Sequence, residues 1–136
     1  MKKIFVALAG PITNILMIII FMNINLPLEL KSEIIYANLL IAIFNFMPIY
    51  PLDGGRILKE ILYIFFGNWN SKKYINEISI IFMIFLTAVS SIGIYYLKNI
   101  AILLIIAYLW GLVINENIKY KKEFNVYNLI KTIENN

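Results

Sequence analysis

Four long apolar runs alternate with short polar stretches along this chain. The first covers residues 4–28. The second begins near residue 34, is interrupted, and resumes over 57–66. The third covers 78–97 with no charge in it, and the fourth covers 100–114. A helix that crosses the hydrocarbon needs about 20 mostly apolar residues. The pattern therefore predicts an all-α integral membrane protein with four transmembrane helices, the second of them broken by Pro, Asp and Gly. Residues 25–33, 67–77 and 98–99 are expected to link them. A membrane β-barrel would show short alternating runs instead. The helical bundle is expected over residues 1–118, followed by a short basic cytoplasmic tail over 119–136. Phe124, Val126, Leu129, Ile130 and Ile133 could line one side of a short surface helix in that tail, or simply rest against headgroups.

Composition supports the membrane reading. Apolar residues make up 61% of the chain, where about 45–50% is ordinary for a soluble domain. The first run is longer than a signal-peptide core and more membrane-type sequence follows it, so it reads as a retained helix. Lysines set the orientation. Lys2, Lys3, Lys72, Lys73, Lys119, Lys121, Lys122 and Lys131 fall on one side, and only Lys31 and Lys98 on the other. Positive residues favour the cytoplasm, so both termini are expected there. Tyr36, Tyr95 and Tyr96 would mark the outer interface, and Trp69, Trp110 and Tyr120 the inner one. Lys59 and Glu60 read as a solvated helix start, and Tyr50 and Tyr63 as interface or core residues. There is no cysteine and no histidine. That removes disulfides, thiolate chemistry, and the commonest general base and metal ligand.

The chemistry is concentrated in the broken run, Phe44-Asn45-Phe46-Met47-Pro48-Ile49-Tyr50-Pro51-Leu52-Asp53-Gly54-Gly55-Arg56, which holds the only aspartate of the chain. Each proline removes an N–H and pushes its predecessor out of helical geometry. Irregular backbone survives at membrane depth only inside protein or beside a water-filled cavity, and an ionisable group there is a functional candidate. Asp53 could bind a hard or borderline metal, with Asn45 and the carbonyls freed by Pro48 and Pro51 holding an extended peptide or a water. Equally, Asp53 could cap a helix that resumes at Arg56, with the prolines and glycines making a re-entrant turn. A second motif, Ala7-Leu8-Ala9-Gly10-Pro11-Ile12-Thr13-Asn14, offers small residues for close helix packing, a proline and an asparagine. It reads either as a packing seam with a kink or as part of a site.

Asn45-x-x-Pro48-x-x-Pro51-Leu52-Asp53-Gly54-Gly55-Arg56 resembles the Leu-Asp-Gly signature of the site-2 protease family of intramembrane zinc metalloproteases. Ala9-Gly10-Pro11-x-x-Asn14 is similar to the helix that precedes it in that family, and the order is the same. The chain looks most like the stage IV sporulation FB type. The resemblance implies a metalloendopeptidase, a hydrolase that cleaves membrane-embedded or membrane-adjacent peptides. In the family one helix carries His-Glu-x-x-His, two zinc ligands and the general base, and the aspartate of Leu-Asp-Gly completes the set. Catalytic zinc ordinarily keeps three protein ligands and an open position. By this resemblance Asp53 is the third ligand and Asn45 positions the substrate or oxyanion. Gly10, Pro11, Asn14, Pro48, Pro51, Gly54 and Gly55 shape the substrate groove.

One departure is large: the sequence contains no His-Glu-x-x-His. The expectation is that it corresponds to the C-terminal, four-helix part of a six-helix protease, inactive alone or active with a separate N-terminal piece. Two other functions stay open. One is a non-catalytic pseudoprotease that holds membrane peptides. The other is an unrelated transporter subunit with an ion site at the broken helix. The expected surroundings are a lipid bilayer, a bacterial cell or forespore membrane, with peptide partners and no nucleic acid.

Overall fold

The computed structural model describes residues 2–134, and the side chains of Lys2, Lys3, Leu97 and Glu134 lie outside the described residues. Two of the lysines used to set orientation therefore fall outside the description, as do the first residue of the expected bundle and the last two of the expected tail. The described chain is all helix and connections: α1 (Lys2–Asn23), α2 (Leu28–Phe46), α3 (Asp53–Leu97) and α4 (Ala101–Glu134). The helices form two hairpins. α1 packs along α2 and α3 packs along α4, while α1 also meets α3.

The connections follow local chemistry. Asn23 Nδ2 donates to the Ile19 carbonyl at 2.8 Å and Lys31 Nζ donates to the Met22 carbonyl at 2.7 Å, satisfying acceptors at the open end of α1. α1 runs unbroken through Pro11, which is buried. At the other link Lys98 adopts the left-handed conformation (φ 50°) and its N–H returns to the Ile94 carbonyl at 2.9 Å, a C-terminal stop.

α1, α3 and α4 are long and apolar enough to cross a membrane. α2 has 19 residues and places Glu29, Lys31 and Glu33 in its first turns. Only 11% of the apolar window of each spanning candidate is buried within the chain, so Phe5, Ile64, Phe65, Ile81, Tyr95 and Leu104 face outward. In water such a surface would drive association. Against acyl chains it is the solvated face.

Two boundaries differ from the sequence expectation. The broken helix resumes at Asp53, not at residue 57, because the Leu52 carbonyl already accepts the Arg56 N–H at 2.9 Å. Residues 68–77 are helical, not a linker, so the polar stretch forms the first turns of a membrane helix. α3 is nevertheless two helices end to end, since Gly67 (φ 75°, ψ 178°) breaks its backbone. Finally, residues 119–134 are helical and continue α4 without a break, and Lys72–Glu123 at 2.5 Å joins them to α3, with Asn76–Asn117 at 3.0 Å just before them. Trp69 rests on Tyr127, ring centres 4.4 Å apart. The Trp110 indole N–H donates to Thr87 Oγ1 of α3 at 3.0 Å.

The conformation of Gly67 is one that residues with a Cβ strongly avoid, although nothing lies within 4 Å of a Cβ placed there. Gly67→Ala should therefore cost about 1–3 kcal/mol through backbone strain alone. Gly93→Ala and Gly111→Ala, in open helical positions, should stabilise by up to about 1 kcal/mol. Thermal unfolding of the three variants in matched micelles checks the contrast.

Candidate functional site

The break between α2 and α3 is a compact knot of backbone. Met47 N–H donates to the Phe44 carbonyl at 3.1 Å, Ile49 N–H to the Met47 carbonyl at 2.8 Å, and Leu52 N–H to the Ile49 carbonyl at 2.8 Å. Pro48 and Pro51 have no N–H to satisfy, and the Tyr50–Pro51 peptide is cis. That leaves the Tyr50 N–H, which donates to Ser79 Oγ of α3 at 2.9 Å. Ser79 in turn donates to the Ile75 carbonyl at 2.7 Å. Every backbone donor from 47 to 52 thus has a partner, as an irregular segment at membrane depth requires.

The tip of this knot is fully buried. Ile49 is 0% exposed and inserts among Met83 of α3 and Leu109 and Val113 of α4. Gly54 and Gly55 let the start of α3 fold back against the knot. A Cβ on Gly54 would overlap the Phe46 carbonyl, and one on Gly55 would overlap the Ile49 carbonyl carbon and Tyr50 N. No side chain fits at either place.

This packing puts Asp53 in the first turn of α3, where a carboxylate interacts favourably with the helix N-terminus. Its side chain is 23% exposed, with Arg56 Nη1 at 3.8 Å from Oδ1. The other carboxylate oxygen lies against Gly10 of α1, so closely that a Cβ on Gly10 would collide with it. The small residue in the first motif therefore has a defined task, which is to leave room for the Asp53 carboxylate at the seam between the two hairpins. Asp53 is not the cap of a helix beginning at Arg56, because that helix starts at Asp53 itself.

The remaining sequence-derived residues surround this seam to different degrees. Pro11 is buried in α1 beside Gly10, and Asn14, one turn further, is half-buried on the face that carries Gly10. Thr13 does not join them, since its hydroxyl donates to the Gly10 carbonyl at 2.7 Å. Asn45 is half-buried in the last turn of α2, just before the break. Lys59 lies over the Tyr50 ring, 4.3 Å from its centre. Ser79 and Ile49 escape a reading of the sequence alone. Ser79 has a signal there, being the lone polar residue in the run 78–86.

As a metal site the arrangement is incomplete. Among the described residues no group of three His, Cys, Asp or Glu side chains converges, and the sequence contains no histidine. Asp53 supplies a single carboxylate, so these residues alone do not fit a zinc centre.

The Gly10–Asp53 contact predicts a specific coupling. Gly10→Ala should destabilise the chain, and the effect should shrink by at least about 0.5 kcal/mol when Asp53→Ala is also present. A double-mutant cycle on thermal or denaturant unfolding measures it, and additive effects would show that the two residues do not touch.

Comparison with known proteins bears on the same region. Aligned over 72 residues and covering 48% of this chain, a protein of Synechocystis sp. named as a "putative zinc metalloprotease" is 35% identical to it. The match covers 19% of that protein, so the chain spans about a fifth of the relative's length. No solved structure matches. Residues 23–89, which hold α2, the knot, Asp53 and Ser79, match peptidase family M50, a family of membrane-embedded metallopeptidases.

Proposed function

We propose that this chain forms part of the membrane core of an M50-type zinc metalloendopeptidase, with Asp53 as one metal ligand. The observation that carries the reading is the seat of Asp53. The chain's only aspartate stands at the break of an apolar helix, partly enclosed, with a carboxylate oxygen packed on a glycine of a different helix. A carboxylate in such a place is costly unless it is hydrated, hydrogen-bonded or paired. Family M50 gives that placement a use.

The other ligands must then come from a separate histidine-bearing segment, an N-terminal protease piece that packs at the α1–α3 seam. Asn45, at the end of α2, is suited to bind the backbone of an extended peptide, because an amide side chain offers both a donor and an acceptor. The substrate class is a membrane-embedded or membrane-adjacent peptide. Both termini are cytoplasmic in this reading, supported by the lysine bias. Within the family, the stage IV sporulation FB type is the finer proposal, and it rests on resemblance. A second reading is a pseudoprotease that binds membrane peptides without cutting them, and the lone carboxylate favours it.

Zinc separates the two. The purified chain alone should bind no stoichiometric zinc. Joined in a bilayer with a segment carrying His-Glu-x-x-His, it should hold about one zinc per complex and cleave a membrane peptide. Asp53→Ala should abolish both, by more than the roughly 10–100-fold typical of an outer-shell loss. Zinc retention by that variant would reject Asp53 as a ligand. Failure of any His-Glu-x-x-His segment to restore zinc binding would favour the pseudoprotease.

A further inference from the structure

We infer that Ser79 is the positioning residue for Asp53, tying the place of that carboxylate to the packing of the α3–α4 hairpin. Asp53 stands three residues beyond Tyr50, and Pro51 and the turn closed by the Leu52 N–H on the Ile49 carbonyl leave little freedom between them. The hydrogen bond from the Tyr50 N–H to Ser79 Oγ ties the knot to a part of the chain 29 residues away. Its acceptor is 1% exposed and sits one helical turn before Met83, which touches the buried Ile49. Ser79 is itself oriented, because its hydroxyl proton is committed to the Ile75 carbonyl, which leaves its lone pairs aimed at Tyr50. The knot is thus gripped twice, by a hydrogen bond at Ser79 and by Ile49 between α3 and α4. Asp53 then meets Gly10 from a fixed base.

An alanine at position 79 removes the acceptor of the Tyr50 N–H and leaves that donor without its protein partner. The knot would be released from α3 while the helices remain, and Asp53 would leave the Gly10 seat for part of the time. A residue of purely structural importance would instead lower stability and leave the Asp53 position unchanged in the folded fraction.

The chain has no cysteine, so a pair introduced by Gly10→Cys and Asp53→Cys reports their proximity cleanly. In the full chain reconstituted in bilayers, this pair should oxidise readily. Ser79→Ala should slow cross-linking about tenfold, the equivalent of one hydrogen bond. Ser79→Thr, which keeps the hydroxyl, should restore the rate, and circular dichroism should show unchanged helix content in both. Should Ser79→Ala fail to fold, amide hydrogen exchange in the unaltered chain decides. The Tyr50 amide should be protected like the core of α3, and exchange as fast as an open loop would overturn the inference. So would an unchanged cross-linking rate in a folded Ser79→Ala chain. The catalytic importance of this positioning rests on Asp53 being a ligand, and it predicts a lower kcat with unchanged KM for Ser79→Ala in the complemented protease. Loss of cleavage on Asp53→Ala tests that reading separately, while the cross-link reads geometry alone.

Discussion

Everything distinctive in this structure follows from the cost of unpaired backbone where water is scarce. A helix satisfies its own N–H and C=O groups, so lipid accepts it. The segment from Met47 to Leu52 is not helical, and each of its donors must find a partner by other means. Two are removed by proline, three turn back on the knot, and the last reaches Ser79. The knot is legal at membrane depth only because that inventory closes. Asp53 stands where it does because the inventory closes in this one conformation.

The same accounting explains why the site lies at a seam. α1 with α2 and α3 with α4 are separate hairpins, each able to bury its facing surfaces locally. The chain passes from one to the other through the knot, and α1 meets α3 at the contact of Gly10 with Asp53. Polar groups inside the α3–α4 hairpin come in pairs, Asn76 with Asn117 and Thr87 with Trp110. At the junction Asp53 keeps partial exposure and the nearby Arg56, which lower the cost of its charge. Small residues concentrate there for the same reason: Gly10, Gly54 and Gly55 are the points where backbone or carboxylate comes too close for any Cβ.

Much of this is legible in the sequence. Apolar run length gives the helices, and the Pro-Asp-Gly cluster gives the break and its aspartate. What run length cannot give is the state of a short polar stretch. Residues 68–77 carry Lys72, Lys73 and Glu77 and read as a loop, yet they are helical because α4 continues alongside and offers Glu123 and Asn117 as partners. The Trp110 indole N–H likewise finds its partner across the hairpin, at Thr87 of α3. Ser79 is hidden in the sequence because its partner is a backbone N–H 29 residues away, a pairing that no local pattern encodes. Each of these is a partner supplied across the fold.

The two hairpins share the placing of Asp53. Ile49 is enclosed by side chains from both α3 and α4, so the buried tip of the knot depends on the second hairpin. The Gly10 seat, in contrast, belongs to the first hairpin. Asp53 is therefore located from both sides: the knot sets where α3 begins, and α1 supplies the surface that its carboxylate meets. Loosening either hairpin shifts one of these two references, which makes the α3–α4 interface, far from Asp53 in sequence, part of what holds that side chain in place.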